Sequence, residues 1–157
     1  VASPRHRELI ALHRRSYASI MSAPFSLRLQ VGAAERLQRR ARRTGTPART
    51  LAQRYVEEGL RHDDHPLVHF VDGPAGRRAA LVGSGLDVWE VIATVRDNAN
   101  DVRQAASYLG VPVGIVQAAI AYYGDYRAEI DEEIALNESE WERGHASWEA
   151  GRRALDS

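Results

Sequence analysis

Between residues 25 and 31 the apolar side chains Phe25, Leu27, Leu29 and Val31 alternate with Ser26, Arg28 and Gln30. A period of two predicts a strand with one apolar and one polar face. The period then changes. Ala34, Leu37 and Ala41 recur at helical spacing, and Gly45 follows as a stop signal. Thr46 reads as the N-cap of a second helix and Pro47 as its first residue, with Leu51, Tyr55, Val56, Gly59 and Leu60 forming a stripe down to Arg61. Farther on, strands at 67–71 and 78–82 flank the turn residues Asp72, Gly73, Pro74, Ala75 and Gly76, which predicts a hairpin. A helix opens near Asp87 with Val88, Val91, Ile92 and Val95 inward. Asn100 or Asp101 caps the next helix, which runs through Leu109 to the stop at Gly110. Pro112 then begins another, through Val116, Ala119, Ile120 and Tyr123. From Ala128 onward Ile134, Trp141, Trp148 and Leu155 fall every seven residues, and Ile130, Asn137, Gly144 and Gly151 fill the adjacent seam.

A strand of about seven residues with no partner in its own unit leaves its backbone groups unpaired and is unstable in water. A second copy repairs this by pairing antiparallel with the first, while the helices of both chains cover the apolar face. The polar face, carrying Ser26, Arg28 and Gln30 twice over, then has the width of a ribbon that enters the DNA major groove. There Arg bonds guanine O6 and N7, and Gln bonds adenine N6 and N7. This stretch resembles the ribbon-helix-helix DNA-binding family over about a quarter of the chain. The resemblance implies base reading by Ser26, Arg28 and Gln30. It also implies phosphate clamping at the start of the second helix by Thr46, Pro47 and Ala48, with Arg49 beside them. Pro47 has no N–H and contributes position alone. A dimerisation ribbon that never meets DNA is the alternative.

Composition divides the chain. Residues 1–62 hold thirteen Arg against four acidic residues, a net +9, whereas residues 63–157 hold eight Arg against seventeen acidic residues, a net −9. A basic half that also carries the ribbon suits phosphate neutralisation; the acidic half is repelled by DNA and points to a different partner. No apolar run is long enough to cross a membrane, and the absence of cysteine excludes a disulfide framework and thiolate metal sites. A cytoplasmic protein is expected. The first twenty residues lack the apolar core of a signal peptide. Met21 is the expected natural start, with 1–20 an extension, or else a basic arm that sets Arg5, Arg7, Arg14 and Arg15 on phosphates.

Chemistry-bearing motifs are sparse. His62, His65 and His69 lack a fourth ligand and are interrupted by Pro66, so they read as solvated linker side chains, with no metal expected. Gly83, Ser84 and Gly85 make a turn with no phosphate-loop Lys. Asp131, Glu132 and Glu133 read as a solvated helix face. No catalytic arrangement emerges and no cofactor is implied, so a non-enzyme is expected. Residues 101–123 have the order of a helix-turn-helix, in which Arg103 is the one basic residue, so a structural or dimerising role is expected.

As a block, residues 65–126 resemble the bacterial domain-of-unknown-function family 433. The features that carry this are Val82, Gly83, Ser84 and Gly85 at the turn, Val88 to Ile92 in the following helix, and Ala118 to Tyr122 in the closing helix. Gly85 stands where that family often has Arg. With the ribbon before it, the chain resembles VapB-like type II antitoxins. The implied fold is mainly α with short β: a ribbon-helix-helix dimer at 21–62, a hairpin and helix-turn-helix-like domain at 63–128, and an acidic helical tail at 129–157. The implied partners are operator DNA, a second copy in a homodimer or higher assembly, and a PIN-like ribonuclease toxin.

The tail alternates very large with very small seam residues, which suits it to a groove. Gly144 and Gly151 each cost about 1 kcal/mol relative to Ala in a helix, so the stretch from about Glu138 is expected to fray alone and to order on a partner. Trp141, Trp148 and Leu155 are the expected apolar toxin contacts, and Arg143, Arg152 and Arg153 the expected contacts to an acidic site. Packing of the tail on its own domain or its dimer mate is the alternative. Three functions are in play: an antitoxin that also represses its own operon, a stand-alone ribbon-helix-helix transcriptional regulator whose C-terminal part only oligomerises, and a toxin-neutralising module without a DNA role.

Overall fold

The computed structural model describes residues 26–73 and 76–155. Phe25, the expected start at Met21, the arm at 1–20 and the hairpin tip at 74–75 lie outside the described residues. The chain divides after Ala48 into two compact units.

In the first unit, α1 spans Val31–Thr44. It begins at Val31, the residue expected to close the apolar face of the strand, because extended Gln30 (φ −62°, ψ 150°) accepts the N–H of Ala34 at 2.9 Å and so starts the helical ladder there. Residues 26–30 form no strand, and all five side chains are exposed. A strand exists only by pairing, and the described chain brings no second strand to this one. The stop is as expected: Gly45 adopts the left-handed conformation (φ 65°, ψ 14°) and donates its N–H to Ala41, while Thr44 Oγ1 donates to the Arg40 carbonyl at 3.0 Å.

The second unit contains α2 (Ala48–Asp64) from its second residue onward, β1 (Val68–Gly73), β2 (Gly76–Leu81), α3 (Val88–Asp97), α4 (Val102–Leu109), α5 (Val113–Asp125) and α6 (Arg127–Leu155). Helix α2 starts just after Pro47 and not at it, and it runs three residues past the expected Arg61. Strands β1 and β2 pair antiparallel in the register Val68 to Leu81 and Phe70 to Ala79, and the pairing continues through Asp72 to Arg77 and Gly73 to Gly76, so three of the five residues expected in the turn lie in the strands. Asp87 opens α3 with a capping box, its own N–H donating to Glu90 Oε2 at 2.7 Å. Asp101 caps α4 by accepting the N–H groups of Arg103 and Gln104. Gly110 ends α4 in the left-handed region (φ 67°), and the axis turns by 116° into α5, within the range of a helix-turn-helix.

Helix α3 is the centre of this unit. It packs on α4, α5, α6 and β2, and Val88, Val91, Ile92 and Val95, the four side chains expected inward, are all buried. They meet Val68, Ala79 and Leu81 of the hairpin, Ala105 and Ala106 of α4, Val116, Ala119 and Tyr122 of α5, and Ile130 and Ile134 of α6 in one core. The small residues of α4 let the turn approach closely. No single helix among the described residues is long and apolar enough to cross a membrane.

Candidate nucleic-acid and partner surfaces

The first unit is a surface of arginine beside open apolar side chains. Five guanidinium-bearing residues, Arg36, Arg39, Arg40, Arg42 and Arg43, line one shallow hollow on α1. A second hollow is lined by Leu29, Val31, Ala34 and Gln38 among others, with Leu27 and Val31 55% and 76% exposed. Arg39 has a loose ion pair with Glu35 at 3.8 Å, and Arg42 and Arg43 sit in the last turn, where cations oppose the negative helix end. Ser26, Arg28 and Gln30 are exposed at the start of the unit. Thr46 and Ala48 are half-buried and Pro47 exposed at the entrance to α2, and Arg49 is exposed at the first turn of that helix.

On α2 the expected apolar stripe divides. Leu51 is fully buried, while Tyr55, Val56 and Leu60 are 42%, 44% and 61% exposed. The far end of α2 is tied down by charge and not by apolar packing. Arg61 Nη1 donates to both Glu129 oxygens at 2.9 and 2.8 Å and to the Tyr122 hydroxyl at 2.8 Å. Its guanidinium also lies 4.2 Å from the Tyr126 ring centroid, a cation–π contact. Burial, reinforced by the Glu129 charge and opposed by Arg61, pushes the Tyr122 phenol well above its ordinary value, so it stays a neutral donor. Glu58 receives Arg77 of the hairpin at 2.8 Å on both oxygens.

Of the histidines expected to be solvated linker side chains, His62 is exposed, whereas His65 and His69 are half-buried at this end. His62 Nδ1 lies 2.9 Å from the Val68 carbonyl, and His65 Nε2 lies 3.0 Å from Asp125 Oδ2. The His65 ring is set edge-on to Tyr122 at 5.1 Å. His69 is half-buried with no hydrogen-bond partner for Nδ1. The cause of the half-burial of His65 is plain: α2 continues through Asp64 and carries it against α5. Among the described residues no group of His, Cys, Asp or Glu is arranged to hold a metal.

The acidic run on α6 likewise is not uniformly solvated. Asp131 accepts from Arg96 and from the Tyr123 hydroxyl, and the Arg96 bond holds its carboxyl below the usual range. Glu133 is half-buried, with Oε2 unpaired. Burial, then repulsion from Glu129 and Asp87, raises it to about 7 despite nearby Arg78. Arg78 itself is bound to Asp87, which also accepts the Trp89 indole N–H at 3.3 Å.

Beyond Asn137 the same helix is exposed on every side as far as Leu155. The described chain is helical through this stretch to Leu155. The buried first turns bear the cost of nucleation, so each later residue adds to an existing ladder. Local pairs help: Trp141 stacks on His145 at 5.1 Å, His145 meets Trp148 at 5.9 Å and Glu149 at 3.7 Å, and Arg152 lies 5.4 Å from the Trp148 ring. Trp141, Trp148 and Leu155 are 68%, 58% and 87% exposed. Arg143 is bound locally, its Nε donating to the Ser139 carbonyl at 3.3 Å, and Arg152 and Arg153 are exposed in the last turn.

No protein-family model, curated protein or solved structure matches this chain.

Proposed function

We propose that the chain is an antitoxin of a type II toxin–antitoxin pair, acting as a homodimer that represses its own operon and neutralises a PIN-like ribonuclease. Residues 26–30 of two copies pair into a ribbon, which buries Leu27 and Leu29. The ribbon turns Ser26, Arg28 and Gln30 toward base edges, and Thr46, Pro47, Ala48 and Arg49 hold the flanking phosphate. The observation that carries this reading is the exposed first unit, where an arginine-lined hollow accompanies apolar side chains that the described chain leaves in water. Exposed Tyr55, Val56 and Leu60 on α2 are further apolar surface for a second copy to cover. The ribonuclease takes the acidic C-terminal half through Trp141, Trp148 and Leu155, with Arg143, Arg152 and Arg153 addressed to its acidic site.

The test is Arg28→Ala in the full chain, with binding measured on DNA from upstream of its own gene at moderate salt. A bidentate base contact is worth about 1–3 kcal/mol, so affinity falls roughly 5- to 150-fold. Unchanged affinity overturns the ribbon. Deletion of 138–157 separates the antitoxin from the stand-alone regulator, because it weakens capture of the neighbouring gene's product in the first case alone.

A further inference from the structure

Gly144 and Gly151 both lie within α6, the second one turn from its end, and the chain gives neither a reason to be glycine. Neither has a positive φ, and a Cβ at either position meets nothing within 4 Å. Each costs about 1 kcal/mol relative to Ala where it stands. A close approach from outside the chain accounts for both. The neighbouring seam supplies the opposite feature: Trp141, Trp148 and Leu155 stand exposed at seven-residue intervals.

We propose that the exposed half of α6 is an interface between two copies of this chain, paired antiparallel about Ala146. Running one helix against the other around a two-fold axis at Ala146 exchanges the two seams. Trp141 comes level with Gly151 of the second copy, Trp148 with its Gly144, and Leu155 with its Asn137. Each bulky ring therefore meets a position with no side chain, and both glycines are used by one register. The same register sets Glu138 on the flank beside Arg152 of the second copy, and does so twice, as opposite charges at the edge of a helical seam require. A parallel pairing in register lays Trp against Trp and Gly against Gly, which crowds one level and empties the next.

The second copy is thus favoured over an unrelated helix by the size pattern and the charge pattern together. The interface belongs to the chain without a partner protein. A ribonuclease that takes the same Trp stripe excludes it.

The chain has no cysteine, so introduced thiols report alone. Full-length Glu138→Cys and Arg152→Cys are purified, mixed and oxidised in a glutathione buffer. Positions 138 and 152 are about 21 Å apart along one helix, too far for a bond within a copy. The mixed disulfide is expected to form at least tenfold faster than the disulfide of either variant alone, and the mixed pair keeps one native Glu138 to Arg152 contact. Equal linking of each variant with itself, or no linking, overturns the antiparallel pairing. Adding Gly144→Leu and Gly151→Leu fills the space while favouring the helix, so helix content by circular dichroism holds and linking drops at least tenfold. Retention of the original linking rate overturns the packing of Trp onto Gly. Neither readout involves DNA or a ribonuclease, so failure here is distinguishable from failure of the antitoxin reading.

Discussion

The two halves of α6 carry the same heptad seams and meet opposite fates. Ile130 and Ile134 are 0% and 6% exposed, whereas Trp141 and Trp148, larger and just as periodic, are 68% and 58% exposed. Hydrophobic periodicity fixes which side chains share a helix face; it does not fix what covers that face. The first half is covered because α3 and α5 pack on this helix, with Val88, Val91 and Tyr122 among the buried residues of the shared core. The second half runs past those elements. A helix is therefore a core element and a free arm at once, and one continuous backbone ladder joins the two.

Three substitutions along α6 break or sharpen this contrast. Ile130→Ala removes a fully buried side chain from the shared core and lowers unfolding free energy by about 3 kcal/mol, read from urea denaturation. A loss under 1 kcal/mol would put Ile130 in the same class as the outer half. Glu133 stands between the two regimes. Its folded carboxyl is raised to about 7 from the ordinary 4.5, so the folded state holds the proton more tightly, and stability falls as pH climbs from about 4.5 to about 7. Glu133→Gln abolishes that fall. At pH 8 the variant gains about 1 kcal/mol over the parent after solvent screening is allowed for, and at pH 4 it gains nothing. Parallel denaturation midpoints at the two pH values check this. Trp148→Ala has the smallest effect on the fold, within about 0.5 kcal/mol, because an exposed ring gives up little on truncation. The same variant slows disulfide linking between copies severalfold, so folding and association respond to different halves of one helix.

Legibility in the sequence followed the range of the forces involved. The hairpin, the Asp87 start of α3, the Asp101 and Gly110 bounds of α4 and the inward face of α3 were readable, because caps, left-handed glycines and periodicity act within a few residues. Contacts among Arg61, Tyr122 and Glu129 were not readable. Those residues are about sixty positions apart or more from α2 to α5 and α6, and none belongs to a local motif. The half-burial of His65 and His69 is hidden from the sequence for the same reason. Pro66 is a true break, but it comes after α2 has carried His62 and His65 against the domain.

By itself the sequence determined the kinds of element from α1 to α6, most of their ends, the basic-then-acidic division and the two seams of α6; the strand expected at its start is not formed by the described residues 26–30, because a strand needs a partner that no local pattern supplies. These depend on backbone geometry and side-chain type within a turn or two. Only the tertiary structure decided that Ile134 is core while Trp141 is surface, that Arg61 clamps α2 to Glu129, and that Glu133 holds its proton near neutrality. Each of those depends on which distant groups displace water from a side chain, and displacement of water is a property of the assembled fold.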